Sequence, residues 1–321
     1  MTTYLAFEGV DKGLATKIAE KERKTGKGFL AKLKGEKPES IEYIENFFIP
    51  VQVWTVSYAV KKGLIRKKME TFVKEICVIP TNPKLDMKSI VVDLENLIKN
   101  YGKPAELSET LEEQRILPTF DFSELFEEFK EKIREKLREL KEKVDNAIEE
   151  YKRAHEAAKW NIEEAWRSWK EYTRETDRDF KQIAYSKYKG ASKSARSLLD
   201  RGKKAYEKAF KDLKKFVNNI KDTLSEILGK DAKNLIDVTE PEKYSVKLPR
   251  ATYKIPVGSV DLRDNLDEVS LSISDKTYLI PVYIVKYVSE KGTRFLVISK
   301  KGKDSFLQKF IESESVINFL S

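Results

Sequence analysis

DFSELFEEFKEKIREKLRELKEKVDNAIEEYKRAHEAAKW, residues 121–160, contains neither proline nor glycine and returns to an apolar or small residue every three or four positions. The series runs Phe126, Phe129, Ile133, Leu137, Leu140, Val144, Ala147, Tyr151, Ala154 and Ala158, then Ile162, Ala165, Trp169 and Tyr172. That spacing places one apolar stripe on one face of a long helix, in the manner of a coiled coil. Asp121 with Glu124 three residues later suits a capping box, with Ser123 as an alternative cap. No proline follows until Pro241, and a second stripe runs through Ala195, Leu198, Gly202, Tyr206, Ala209, Leu213, Phe216, Ile220, Leu224 and Ile227 to a stop at Gly229.

Two such stripes in succession imply an antiparallel helical hairpin. Placing its turn at 175–176 gives arms 122–174 and 177–229 of equal length, each roughly 80 Å at about 1.5 Å per residue. The tip then lies near 173–179, with Thr176 as the cap of the second arm. Three of the four tryptophans, Trp160, Trp166 and Trp169, stand just before it. In this register the second arm offers the small residues of KGASKSARS, so Trp166 and Trp169 read as tip packing, which also gives Gly190 a reason. Trp160 lies two residues past the stripe residue Ala158, on the far side of the helix. An exposed tryptophan there suits a partner contact. Trp160, Trp166, Tyr172, Tyr185 and Tyr188 form the candidate contact set of the tip.

On both sides of the hairpin the pattern changes to β. YIENFFIPVQVWTVSYAVKKGLIRKKMETFVKEICVIP, residues 43–80, reads as two long strands joined at Gly63, and EVSLSISDKTYLIPVYIVKYVSEKGTRFLVISKKG, 268–302, as another hairpin turning at Gly292. The triplet Ile-Pro-Val occurs at 49–51, 255–257 and 280–282. It is either the remnant of a duplication or a coincidence among Val/Ile-rich strands. Proline cannot donate to a central ladder, so each copy is expected at a strand start, an edge or a bulge. The fold class is therefore α+β: a discontinuous β-rich mixed base, residues 1–120 with 230–321, into which a long antiparallel coiled-coil hairpin, 121–229, is inserted. The base is either one body or two related subdomains.

Charge divides the arms. Residues 121–180 carry 14 Lys/Arg and 18 Asp/Glu, whereas 181–220 carry 12 Lys/Arg and three acids. One explanation is that the acidic arm neutralises the basic one. The other is that Lys187, Lys189, Lys193, Arg196, Arg201, Lys203 and Lys204 contact phosphates, joined by Lys61, Lys62, Arg66, Lys67 and Lys68 around the first β turn. The whole chain is basic, with a formal charge of +9 over 321 residues.

Catalytic chemistry finds little to stand on. GKGFLAKLKGEK, 26–37, lacks the spacing of a phosphate-binding loop. DLRDNLDE, with Asp261, Asp264, Asp267 and Glu268, lacks the alternate spacing of a calcium loop and reads as a polar turn. The single Cys77 reads as a small buried hydrophobe, and the single His155 has no second His or Cys near it in sequence. No catalytic, cofactor or metal residue is assigned. The lone cysteine, the few glutamines and the absence of a signal-like or bilayer-length apolar stretch suggest a cytoplasmic protein of thermophile-like composition. The expected function is a non-enzymatic scaffold or adaptor, its arm serving protein–protein interaction or self-association into a homo-oligomer. The alternative is a nucleic-acid-associated protein, binding DNA or RNA through the second arm and the Lys61–Lys68 turn.

Overall fold

The structure, a computed structural model, describes residues 2–24, 38–62, 68–107 and 115–321. In chain order the elements begin β1 (Thr3–Ala6), α1 (Lys12–Glu22), β2 (Ser40–Lys62) and β3 (Lys68–Val78). Next come α2 (Met87–Ile90), β4 (Val91–Val92), α3 (Leu94–Tyr101) and β5 (Ala105–Glu106). Two long helices follow, α4 (Phe122–Arg174) and α5 (Arg178–Leu228). After them lie β6 (Ile236–Thr239), β7 (Lys243–Leu248), β8 (Ala251–Pro256) and β9 (Asp261–Asp264). The chain closes with β10 (Ser270–Ser289), β11 (Gly292–Ser299), β12 (Gly302–Lys303), α6 (Ser305–Gln308) and α7 (Glu314–Leu320). These elements make a mixed α+β protein of two compact units.

The first unit comprises the residues up to Phe129, Glu226–Gly229 and Glu268–Ser321. Its core is a mixed sheet of order β12-β11-β10-β2-β3-β4, with β1 parallel to β10 and β5 beside β1. Both hairpins expected from the sequence, β2–β3 and β10–β11, are present. Their long strands pair with each other antiparallel, and Ile49 stands opposite Ile280, so two Ile-Pro-Val copies face one another about a local two-fold. The prolines are thus mid-strand in the two central strands, contrary to the expected strand start, edge or bulge. The sheet accommodates them because the outer neighbours change there. β3 joins β2 only from Gln52 onward, while β1 covers β10 up to Leu279 and β11 resumes at Tyr283. Neither missing N–H therefore interrupts an outer ladder.

The two-fold extends beyond the strands. Phe7 N donates to Leu279 O at 2.9 Å, and Leu117 N donates to Phe48 O at 3.0 Å, each acceptor being one residue before the central isoleucine. Five residues past Ala6 stands Asp11, and five past Ile116 stands Asp121. Asp11 caps α1 through Gly13 N and Leu14 N, and Asp121 caps α4 through Ser123 N, the cap expected for it. α1 packs Ala15 and Ala19 on Val285, Tyr287, Leu296 and Ile298. At the matching place Phe122 of α4 meets Trp54 at 5.3 Å between ring centroids, and Leu228 O of α5 accepts from Tyr58 Oη. The α4–α5 hairpin thus occupies the topological position that one 11-residue helix holds in the other half.

The second unit is Lys130–Ser225 with Lys230–Asp267. Sequence reading assigns 230–267 to the β-rich base, but these residues pack on the helices. Their strands are only four to six residues long and pair only with each other, β6 with β9 and β7 with β8. Val246, Leu248, Tyr253, Ile255 and Val260 are buried. The helices tie them down: Arg134 binds Asp264 and Asp267, Asp145 accepts from Val260 N, and Tyr253 donates to Asp200.

α4 and α5 pack against each other along buried Leu137, Val144, Tyr151, Ala158 and Ala165 on one side and Ala195, Leu199, Tyr206, Leu213 and Val217 on the other. Leu199 and Val217 are buried where the sequence reading placed Leu198 and Phe216. The connecting turn is 175–177, and its cap is Asp177, not Thr176. Asp177 Oδ1 accepts from Asp179 N and Phe180 N, while Glu175 Oε1 takes the amides of Thr176 and Asp177. The closest approach lies at Gly202, where a Cβ would stand 2.7 Å from Tyr151 Cδ2. Gly190 has no such role. It is exposed, and a Cβ there would meet nothing within 4 Å.

Candidate binding surface of the long helices

The tip residues separate by environment. Trp160 is 69% exposed. Trp166 is half-buried, and its indole N–H donates to Lys247 O at 2.8 Å. Trp169 lies between Tyr188, at 4.9 Å, and the guanidinium of Arg250, at 4.7 Å. Tyr188 is buried with Ala165 and Ala191, which removes it from the contact set. Tyr172 and Tyr185 meet at 5.1 Å, the first half-buried and the second exposed. The small-residue match to the tryptophans is real only at Ala191, because Trp160 faces solvent and Trp166 is claimed by β7.

Ion pairing does not follow the acidic-arm, basic-arm scheme. Acids of α4 are taken by cations of α4 itself, at i+3 or i+4: Lys136 and Lys143 on Glu139, Lys141 on Asp145, Lys152 on Glu149, Lys159 on Glu156. Such pairs are the natural choice on a helix surface, where i and i+4 are neighbours. On α5, Lys203 pairs with Glu207. Among the described residues, Lys187, Lys189, Lys193, Arg201 and Lys204 form no ion pair, and all five are exposed.

Three cavities line the side of α5 that faces β7 and β8. One of about 550 Å³ is walled by Tyr185, Lys189, Lys193, Arg196 and Arg250. The next, about 290 Å³, has Tyr151, Lys203, Lys243 and Lys254. The third, about 530 Å³, has Tyr206, Phe210, Lys211, Lys214 and Lys215. Of the candidate phosphate contacts, Lys189, Lys193, Arg196 and Lys203 are gathered here, whereas Lys187, Arg201 and Lys204 line none of the three. Arg66 and Lys67 are outside the described residues, as are the side chains of Lys61, Lys62 and Lys68 and the segment 26–37. Sequence reading missed Arg250, Lys243 and Lys254, because they come from a segment assigned to the base.

The polar groups around these cavities are constrained. Arg196 donates through Nη2 to Pro249 O, while its buried Nε–H has no acceptor among the described residues. The buried Tyr151 hydroxyl likewise lacks a partner, and burial drives its pKa up. Burial and the bond to Asp200 push Tyr253 up to about 12. Burial also lowers the pKa of His155, whose Nδ1 lies 3.0 Å from Tyr244 Oη.

In the first unit a cavity of about 540 Å³ is lined by Cys77, Lys74, Lys88, Lys276, Asp93 and Tyr278. Its thiol is poorly suited to nucleophilic work, since burial raises it to about 11. Among the described residues no cluster of three or more His, Cys, Asp or Glu is arranged to hold a metal. Within DLRDNLDE, Asp264 and Asp267 are engaged by Arg134. No described helix is long and apolar enough to cross a membrane. No family model, curated protein or solved structure matches the chain.

Proposed function

We propose that this protein acts by binding nucleic acid through the basic side of α5. The observation that carries the reading is a set of exposed cations of α5, Lys187, Lys189, Lys193, Arg201 and Lys204, that form no ion pair among the described residues, while Glu139, Asp145 and Glu149 of α4 pair with cations of α4 itself. Sequence alone ranks a protein scaffold first, on the long arm and the lack of a catalytic constellation. A polyanion is the simplest counterion for so concentrated a charge on α5. Binding of a labelled RNA or DNA should weaken steeply with salt, since each phosphate neutralised on a single strand contributes about −0.7 to the log–log slope. Absence of binding to either polymer at low salt rejects the reading.

A second reading, the scaffold or adaptor, rests on Trp160, a 69% exposed indole on α4. Tryptophan is over-represented among residues that dominate protein interfaces. Its test is capture of protein partners by the wild type and by Trp160→Ala at matched melting temperature. Equal capture by both removes Trp160 as the contact.

A further inference from the structure

The three cavities beside α5 belong to one face. Tyr185, Lys189, Ser192, Arg196, Asp200, Lys203, Glu207, Phe210 and Lys214 follow one another at three or four residues, so they stack along a single side of the helix. The second and third cavities share Tyr206, Glu207 and Lys243. Opposite them runs the β7–β8 hairpin, contributing Lys243, Arg250, Thr252 and Lys254. Lysines and arginines far outnumber the carboxylates on these walls, which are Asp200, Glu207 and Glu240. Asp200 is already occupied by Tyr253, and Glu240 by Tyr206 and Lys243. Aromatic rings recur between the cations: Tyr185, Tyr206 and Phe210.

We propose that this face is a track for single-stranded nucleic acid, in which the cations hold successive phosphates and Tyr185 and Phe210 receive bases. The inference rests on the nucleic-acid reading above and narrows it to one strand type and one face. A basic groove with interleaved aromatics is the arrangement that binds single strands with little sequence preference, because every base has a π-face. From Lys189 to Lys215 the helix rises about 40 Å, enough for on the order of ten nucleotides. A duplex would bury its bases and leave the rings unused.

Arg250 gives the face a feature that packing alone does not require. It follows Pro249 in the two-residue β7–β8 turn and has φ +64°, a conformation that favours glycine. An arginine stands where the backbone favours glycine, and its guanidinium lies on Trp169 at the wall of the first cavity. The neighbouring Arg196 holds this turn by donating through Nη2 to Pro249 O at 3.3 Å.

The test is fluorescence anisotropy with a labelled oligothymidylate 20-mer, the matching duplex, and phosphatidylserine vesicles. The wild type should bind the single strand more tightly than the duplex. Lys189→Ala/Lys193→Ala should weaken it about tenfold and reduce the salt slope by about 1.4, two contacts' worth. Arg250→Gly relieves the turn, so it should lower affinity severalfold while the melting temperature holds. Tyr185→Ala should weaken the single strand more than the duplex. The charge-matched control Arg153→Ala/Lys170→Ala on α4 should bind normally. Equal binding of duplex, or equal loss in the α4 control, overturns the track but leaves nucleic-acid binding standing. Vesicle binding without oligonucleotide binding overturns both, as does no binding at all. An Arg250→Gly protein that melts earlier yet binds normally makes Arg250 a structural residue and removes it from the track.

Discussion

Ile49 and Ile280, 231 residues apart, are direct partners in the β2–β10 ladder and are both fully buried. Each opens its own Ile-Pro-Val copy, and the pair marks the local two-fold of the sheet. Truncating either to Ala should cost about 2–5 kcal/mol, as for other buried isoleucines. Because the two side chains are neighbours in one core, the double variant should depart from additivity by roughly 0.5–3 kcal/mol. Urea denaturation of the four proteins measures this, and strict additivity would show that the pair is not a shared packing unit.

Gly202 and Gly190 should respond in opposite directions to alanine. At Gly202 a methyl group would collide with the Tyr151 ring and backbone, so Gly202→Ala should destabilise by about 1–3 kcal/mol. At Gly190 the space is open and the residue is mid-helix, so Gly190→Ala should stabilise by up to about 1 kcal/mol. Thermal melts of both variants decide the matter, and a Gly190→Ala protein that melts earlier would mean that Gly190 has a packing partner.

His155 is the single histidine, so one imidazole signal reports its titration. Its folded pKa lies below the ordinary value because burial disfavours the cation. The unfolded chain therefore binds the proton more readily between the two pKa values. The associated stability is complete above about pH 6.5 and is lost as pH falls through the folded value. An NMR midpoint at or above 6.5 would contradict this, as would a His155→Gln variant with unchanged acid sensitivity.

Cys77 should be slow to react. Its thiol is buried and pushed up to about 11, so little thiolate exists at pH 8. A disulfide reagent such as dithiobisnitrobenzoate should label the native protein far more slowly than the protein in guanidinium. Equal rates would show that the first-unit cavity opens readily.

Local signals were legible and long-range allegiances were not. The stripe from Phe126 to Tyr172, the Asp121 cap and both β hairpins could be read because each depends on residues close in sequence. Whether Ile49 would face Ile280, and so turn two prolines into residues of central strands, depends on a pairing 231 residues apart. The assignment of 230–267 failed for a similar reason. Its alternating pattern gives the strands but not the surface they cover, which here is that of α4 and α5. Arg250, Lys243 and Lys254 were invisible as binding candidates on that account, and Tyr188 was misjudged because a tyrosine near a helix end can equally lie inward.

Ultraviolet crosslinking of the intact protein to an oligouridylate, followed by peptide mass mapping, tests binding along α5 most directly. The account predicts nucleotide adducts on peptides containing Tyr185 or Phe210 and, across the groove, on the 243–254 segment. Adducts confined to the β-sheet unit, or none at all under low salt, would contradict it.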